Sequence, residues 1–329
     1  MGIPGQSLGE FELIERFFTR PAAVAARHGV ILGVGDDAAL LQMPPDTELA
    51  AAVDTLVAGR HFPPGSAARS IGHRALAVNL SDMAAMGATP AWATLALTLP
   101  AADARWLEDF AAGLLELADA HQVTLVGGDT TAGPLSISVQ ILGHVAPGTA
   151  LRRGGGRAGD VLAVTGTLGD AGAGLALVTE RLEVRDPAAA AELIARFEFP
   201  TPRVGFGSGA RGIAAAAMDL SDGLTGDLRK LAGASGVAAH VAVDELPLSA
   251  ALQASTTLAQ ARHWALAAGD DYELLLAVPP SRYAELAAVA RRWDLRLTAI
   301  GELRRGSGVH FTLNGACFAA PPRGYDHFR

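Results

Sequence analysis

Short apolar segments that run directly into aspartate recur along this sequence and constrain its fold most strongly. The aspartates concerned are Asp36, Asp37, Asp54, Asp82, Asp129, Asp219, Asp222, Asp270 and Asp271. Most of the segments before them have the length of strands, and amphipathic helical patterns such as Asp103–Gln122 separate them. We therefore predict an α+β or α/β protein.

The length and one change in composition predict two domains. A chain of 329 residues is long enough for two hydrophobic cores. The stretch from Pro147 to Gly159 is rich in glycine and arginine and has no apolar period. We place the boundary there, which predicts an N-terminal domain over 1–148 and a C-terminal α/β domain over 149–329.

Composition excludes several classes of protein. A net charge of −8 argues against a general nucleic-acid binder. No apolar run is long enough to span a membrane and the N-terminus lacks a secretory pattern, so we expect a cytoplasmic protein with no membrane partner. The single cysteine, Cys317, excludes an internal disulfide, and the single lysine, Lys230, excludes a P-loop because no glycine-rich motif contains it.

Asp82 stands at a position where a carboxylate is unusual. Ile71, Ala75 and Val78 share one face of a predicted helix, and Asp82 is the next position on that face. A carboxylate on an apolar face is costly unless it is paired or bound to a cation. Asp82 is thus either a metal ligand, or it caps a loop or pairs with an arginine.

Several aspartates together predict a hard divalent cation. If four of them converged, their mutual repulsion would prevent them all from ionising unaided. Oxygen ligands without cysteine or paired histidine favour Mg²⁺, Mn²⁺ or Ca²⁺ over zinc, and no EF-hand spacing is present. Magnesium held by a few carboxylates is usually completed by substrate phosphates, which predicts an enzyme of polyphosphate chemistry. The alternative is that these aspartates form turns and cap helices.

Three further features have both a functional and a structural interpretation. His61 follows Asp54-Thr55 in a proline-rich loop and is either a functional residue or a surface histidine. Arg152-Arg153 either clamps a phosphate or is solvated. The glycine-rich stretch Gly166–Gly174 either cradles a phosphate or forms a turn from strand to helix.

The motifs in combination resemble one known family. They are Gly9-Glu10-Phe11, Gly33-Val34-Gly35-Asp36-Asp37-Ala38, Val53 to Val57 with His61-Phe62, Val78 to Pro90, Gly127 to Thr131, Asp219 to Gly223, Asp271 to Leu274 and Gly324 to Phe328. In this order they resemble the thiamine-monophosphate kinase family, within the superfamily of aminoimidazole ribonucleotide synthetase-like proteins. The resemblance extends from residue 9 to residue 328.

This resemblance implies a fold and a reaction. The two-domain aminoimidazole ribonucleotide synthetase-like fold pairs the strands of its N-terminal domain across a homodimer and places an α/β domain after it. The reaction moves the γ-phosphoryl group of ATP directly onto thiamine monophosphate, with several Mg²⁺ ions and no phospho-enzyme.

The resemblance also implies roles for individual residues. The metal ligands would be Asp37, Asp54, Asp82, Asp129, Asp219 and Asp222. ATP would meet Gly128, Asp129, Arg153 and Ser221, and thiamine monophosphate would meet His61, Asp270 and Tyr325. The sequence departs from the family pattern at Ala52-Val53, where the family usually has Ser or Thr, and at Asp270, where it usually has Glu.

Two alternatives remain at this stage. One is another ATP-using enzyme of the same superfamily. The other is a scaffold that binds nucleotide or metal without catalysis.

Overall fold

The computed structural model describes residues 9–19 and 29–321. The chain divides into two compact units, of which the first comprises Met1–Leu80 and Thr89–Pro147 and the second comprises Ser81–Ala88 and Gly148–Arg329. The predicted substrate residue Tyr325 lies outside the described residues. Within the described ranges, no helix is both long and apolar enough to cross a membrane.

The first unit contains a two-stranded and a four-stranded sheet. Its elements are α1 (Glu10–Leu13), a π-helical turn (Ile14–Phe18), β1 (Val30–Leu32), β2 (Leu40–Leu41), β3 (Glu48–Val57), α2 (Ala68–Ala85), β4 (Thr89–Leu99), α3 (Ala104–Ala120), β5 (Thr124–Ala132) and β6 (Ser136–Val145). The end of α2, from Ser81 onward, belongs to the second unit. The larger sheet has the order β3-β6-β4-β5, with β4 and β5 parallel and the other neighbours antiparallel. β1 and β2 form the antiparallel pair.

Helices α2 and α3 follow from their sequence patterns. Asp103 caps α3, since its Oδ1 accepts hydrogen bonds from the backbone nitrogens of Arg105 at 2.9 Å and Trp106 at 3.3 Å. The two helices touch where each has a glycine. A Cβ at Gly72 would lie 2.0 Å from the Phe110 carbonyl oxygen, and one at Gly113 would lie 2.0 Å from that of Arg69.

The four-stranded sheet has two chemically different faces. The alternating residues Ile137, Val139 and Ile141 of β6 are buried, as their period of two predicts. We call this side the covered face. The opposite side, which we call the open face, carries Ser138 and Gln140 of β6 and remains at least partly exposed.

The second unit contains a seven-stranded sheet. Its elements are β7 (Val161–Thr165), α4 (Asp170–Val178), α5 (Pro187–Glu198), α6 (Val204–Ala210), β8 (Ala216–Asp219), α7 (Leu224–Ser235), β9 (Ala238–Ala242), α8 (Ala250–Ser255), α9 (Leu258–Ala267), β10 (Leu274–Val278), α10 (Tyr283–Arg292), β11 (Leu297–Arg304), β12 (Val309–Leu313) and β13 (Ala316–Phe318). The strand order is β13-β12-β9-β11-β7-β10-β8. Every residue of β10 is buried, as expected for a central strand.

One predicted helix of this unit is wrong at its end. The sequence pattern extends the helix after Pro202 to about Ala217, whereas α6 ends at Ala210 and Ala216–Asp219 forms β8. Gly212, with φ of +70°, breaks the helix, and the apolar run that follows pairs with β10. Short apolar runs do not distinguish a strand from a buried helix.

Candidate active site

The second unit brings several predicted site residues together where β8 ends. Asp219 is the last residue of β8 and pairs with Leu274 at the start of the antiparallel β10. The segment after β8 therefore lies beside the segment before β10. We call Leu220–Gly223 and Gly269–Glu273 the loop pair.

Backbone hydrogen bonds hold the loop pair together. The Leu220 nitrogen donates to the Glu273 carbonyl at 2.8 Å, and the Tyr272 nitrogen donates to the Leu220 carbonyl at 2.9 Å. The Asp270 nitrogen donates to the Ser221 carbonyl at 2.9 Å. Three predicted site residues, Ser221, Asp222 and Asp270, thus belong to one arrangement of backbone.

Asp270 has an unusual backbone conformation within the loop pair. Its φ is +70° and that of Tyr272 is +49°, both in the left-handed region that is costly for residues with a side chain. The Tyr272 hydroxyl lies 3.2 Å from Asp270 Oδ1 and donates to it. Such strain persists only where the surroundings fix the backbone.

A buried ionic cluster holds the loop pair in place. Glu273 is fully buried, and its carboxylate accepts hydrogen bonds from Arg203 Nε at 2.7 Å, from an Arg196 guanidinium nitrogen at 2.8 Å and from Thr165 Oγ1 at 2.7 Å. Burial acts to raise the pKa of Glu273, but Arg203, Arg196 and Thr165 outweigh it and hold that pKa below its ordinary value. Glu273 is therefore an anchor of the loop pair.

Asp271 is the second anchor and explains the glycine-rich stretch. Its two carboxylate oxygens accept from the Gly169 nitrogen at 2.9 and 3.1 Å. A Cβ at Gly166 would lie 2.0 Å from Glu273 Oε1. The turn at Gly166–Gly169 thus packs against the buried cluster, which favours the structural interpretation of this stretch over a phosphate cradle.

Burial acts to raise the pKa of both anchors, but it prevails only at Asp271. It is the largest influence on Asp271 and raises the pKa of that carboxyl group well above its ordinary value, assisted by the charge of Asp170. The Gly169 hydrogen bond and Arg196 counteract this only in part. Asp271 lacks the direct guanidinium contacts that lower the pKa of Glu273.

Asp219 is fixed by the helix that carries Asp82. Ser81 Oγ, fully buried in α2, donates to Asp219 Oδ2 at 2.9 Å. The predicted helix at Asp82 is confirmed, but its burial is not confined to one face. Between Ser70 and Ala85 only His73 and Asp82 are not buried. Asp82 is therefore the partly accessible carboxylate of an otherwise buried segment.

Asp222 has a cationic neighbour. Lys230 Nζ lies 2.5 Å from Asp222 Oδ2 and 2.9 Å from Asp227 Oδ1. Arg153, another predicted residue of this unit, is exposed. Its carbonyl accepts from Ser235 Oγ at 3.3 Å, and the neighbouring Arg152 carbonyl accepts from the Ala217 nitrogen of β8 at 2.8 Å.

In the first unit, Asp37 and His61 lie in loops. Asp37 is exposed between β1 and β2, and its backbone nitrogen donates to Asp36 Oδ1 at 2.8 Å. His61 follows β3, and its Nδ1 accepts from the Val57 nitrogen at 2.9 Å. Since Nδ1 is the acceptor, neutral His61 carries its proton on Nε2.

The expectation that Asp54 and Asp129 end their strands is wrong. β3 continues to Val57 and β5 continues to Ala132, because their ladders with β6 and β4 extend past both aspartates. Asp54 pairs with the buried Val139, whereas Asp129 pairs with the exposed Ala96. Asp54 therefore lies on the covered face and Asp129 on the open face.

The environment of Asp54 includes a residue that the sequence pattern did not single out. The fully buried Asn79 of α2 accepts a hydrogen bond from the Asp54 nitrogen on Oδ1 at 3.1 Å, and its Nδ2 donates to the Ala75 carbonyl at 3.0 Å. Asn79 thereby fixes the backbone of β3 against α2.

Gly128 has a packing requirement that its neighbour lacks. A Cβ at Gly128 would lie 1.9 Å from the Leu95 carbonyl oxygen of the parallel strand β4. At Gly127 a Cβ would meet nothing within 4 Å. The glycine at 128 is therefore needed for strand pairing, whatever else it contacts.

The donor chemistry of the predicted metal ligands fits Mg²⁺. All six are carboxylates, the oxygen ligands that this ion prefers. Within residues 9–19 and 29–321, no group of three or more His, Cys, Asp or Glu side chains is arranged to hold a metal ion. Few protein ligands are expected at a magnesium site that substrate phosphates complete.

Sequence reasoning missed the supporting residues for different reasons. Two of them carry a sequence signal that could have identified them. Ser81 is next to Asp82, and Lys230 is the single lysine of the chain. Arg196 and Arg203 carry no local signal, since 77 and 70 residues separate them from Glu273. Only the fold reveals their role.

Comparison with known proteins decides the family. Residues 35–145 match the family model described as AIR synthase related protein, N-terminal domain, and residues 157–314 match its C-terminal domain. The thiamine-monophosphate kinase of Salmonella typhimurium is 46% identical over 321 residues, covering 97% of this chain and 98% of the relative. This chain belongs to the thiamine-monophosphate kinase family.

Solved structures of thiamine-monophosphate kinases have the same fold. The crystal structure of the enzyme from Stenotrophomonas maltophilia K279a is 46% identical, has a TM-score of 0.86 and aligns over 95% of this chain and 99% of its own. A structure described as AaThiL complexed with AMPPCP and TMP is 31% identical, with a TM-score of 0.77 and 97% of both chains covered. The predicted two-domain fold is confirmed.

Proposed function

We propose that this chain transfers the γ-phosphoryl group of ATP to thiamine monophosphate, forming thiamine diphosphate and ADP. The observation that carries this function is the relationship to thiamine-monophosphate kinases over 97% of the chain. The relative complexed with AMPPCP, an ATP analogue, and TMP supports the same pair of substrates.

The chemistry requires positioning more than acid–base catalysis. The phosphate of thiamine monophosphate is already an anionic nucleophile at neutral pH, so no strong general base is needed. Holding the two phosphates in line and neutralising their charge supplies most of the rate enhancement. Mg²⁺ bound by Asp37, Asp54, Asp82, Asp129, Asp219 and Asp222 would supply that neutralisation.

The remaining roles fall to the residues that the family resemblance implies. Gly128, Asp129, Arg153 and Ser221 bind ATP, and the exposed guanidinium of Arg153 suits a phosphate. His61, Asp270 and Tyr325 bind thiamine monophosphate. His61 presents a proton on Nε2 for a phosphate oxygen, since Nδ1 accepts from Val57. The Asp270 carboxylate suits the cationic ring of thiamine.

We also propose that the chain acts as a homodimer in the cytoplasm. Residues 1–148 would form the ATP- and magnesium-binding and dimerisation domain, and 149–329 the C-terminal domain. Support comes from β3, an edge strand that exposes apolar side chains on the open face, with Leu49 57% and Val53 62% exposed. Such an edge invites pairing with a second copy.

Substrate discrimination tests the proposed function. The purified chain is incubated with ATP and Mg²⁺ and with thiamine monophosphate, thiamine or formylglycinamidine ribonucleotide, and ADP formation is measured. We expect turnover with thiamine monophosphate alone. Turnover only with the ribonucleotide would instead assign a sibling activity of the superfamily, and nucleotide binding without any turnover would indicate a scaffold.

A further inference from the structure

Lys230 joins the candidate site to a buried carboxylate. It lies on α7, and its Nζ contacts Asp222 Oδ2 at 2.5 Å and Asp227 Oδ1 at 2.9 Å. The backbone nitrogen of Asp222 donates to the other oxygen of Asp227 at 3.1 Å. The three residues therefore form a closed cycle of hydrogen bonds, which we call the lysine cycle.

Burial distinguishes the two carboxylates of the lysine cycle. The exposed fraction of the side chain is 0% for Asp227, 36% for Asp222 and 39% for Lys230. Asp227 is three residues before Lys230 on the same face of α7, so helix geometry keeps this pair together. Of the two carboxylates, only Asp222 is accessible to a solute.

A cation that approaches Asp222 meets a carboxylate that already has a partner. The lysine ammonium group is a compact charge on a flexible chain, and it occupies one side of Asp222 in the manner of a cation. A second cation on the same carboxylate is repelled by Nζ, and this repulsion is stronger at a partly buried site than in water. Binding is easier if Nζ withdraws.

We propose that Lys230 is an internal counter-ion that a divalent cation displaces from Asp222. Asp227 retains the ammonium group after the exchange, because its position is fixed and its contact with Nζ is independent of Asp222. Lys230 thereby sets the affinity of the chain for its divalent cation. This inference rests on the role proposed above for Asp222 as a ligand.

Binding of Mn²⁺ alone tests the inference without nucleotide or catalysis. Free Mn²⁺ is measured by electron paramagnetic resonance with the wild type, Lys230→Met and the double variant Lys230→Met/Asp227→Asn. The double variant removes both partners of the buried pair, so it provides the test if the single variant does not fold. Arg304→Met is the control matched to Lys230→Met. Arg304 pairs with Glu302 on the surface, and each of these two variants removes one positive charge.

We expect Mn²⁺ to bind about tenfold more tightly to both Lys230 variants, since the competing charge is gone, and with unchanged affinity to Arg304→Met. Equal affinity in the wild type and both Lys230 variants would overturn the inference, as would equal tightening in Arg304→Met. An Asp222→Asn variant that binds Mn²⁺ like the wild type would overturn it as well. Failure of the kinase function would appear separately, as a wild type that forms no thiamine diphosphate.

Discussion

Ser81 donates a hydrogen bond from Oγ to Asp219 Oδ2 at 2.9 Å, although 138 residues separate them in the chain. Ser81 is fully buried and Asp219 nearly so. The bond fixes the carboxylate of Asp219 from the residue that directly precedes Asp82. Two proposed ligands thus depend on the same turn of α2.

Replacing Ser81 by alanine tests this dependence. Asp219 would lose a donor in a buried place, so we expect Ser81→Ala to lower the free energy of unfolding by about 1–3 kcal/mol. Urea unfolding measures the change. Ser70→Ala is the matched control, since Ser70 is also buried in α2 but donates only to the Ala67 carbonyl one turn away. An equal loss in both variants would show that the Asp219 contact contributes nothing specific.

The two neighbouring glycines of β5 should respond differently to alanine. In Gly128→Ala the new Cβ would collide with the Leu95 carbonyl, and the backbone shift should cost about 1–3 kcal/mol or more. Gly127→Ala meets no atom within 4 Å and should change stability by less than about 1 kcal/mol. Thermal and urea unfolding of both variants decide the point, and similar stabilities would contradict the strand-pairing role of Gly128.

Asp271 should make stability depend on pH. Because burial raises the pKa of its carboxyl group in the folded chain, its contribution is present below the ordinary aspartate pKa and is lost as pH rises through the folded value. Asp271→Asn keeps an oxygen for the Gly169 nitrogen but cannot ionise. We therefore expect its stability relative to the wild type to increase between pH 5 and pH 8 in urea titrations.

The pKa of Glu273 is shifted in the opposite direction, so this residue determines how the stability changes on the acid side of the pH profile. Its lowered pKa contributes stability above the ordinary glutamate pKa, which is lost as pH falls through the folded value. A constant difference between Asp271→Asn and the wild type across pH 5 to 8 would contradict the assignment of this dependence to Asp271.

The open face should form the interface of the proposed dimer. Val53→Glu places a charge on an exposed apolar position of edge strand β3, so we expect it to convert dimers into monomers. Analytical ultracentrifugation measures the mass. Leu258→Glu, at a residue 48% exposed in the second unit, is the control and should leave the dimer intact. A wild type that sediments as a monomer would refute the interface.

Much of the fold was predictable because its signals are local. The period of two in β6 and the capped amphipathic pattern of α3 depend on residues close together in sequence. The extension of β3 past Asp54 was not predictable from local sequence. The strand continues through this polar residue because β6 pairs with it along its whole length. The same holds for β8, whose apolar run also fits a helix.

The sequence predicted the candidate residues of the site, but it did not predict the residues that hold them in place. The end of an apolar segment marked Asp219, and a neighbouring glycine or serine marked Asp222 and Asp270. The loop pair and the adjoining end of β8 bring these residues together. The buried anchor Glu273 depends on Arg196 and Arg203, which are distant from it in sequence. No local pattern encodes such a contact.

Following the transferred phosphoryl group tests the central claim most directly. The chain is incubated with Mg²⁺, thiamine monophosphate and ATP labelled with ¹⁸O in its γ-phosphoryl group, and the products are analysed by mass spectrometry. We expect the label in the terminal phosphoryl group of thiamine diphosphate, with one ADP formed for each. Label recovered only in inorganic phosphate, with thiamine monophosphate unchanged, would contradict the proposed kinase function.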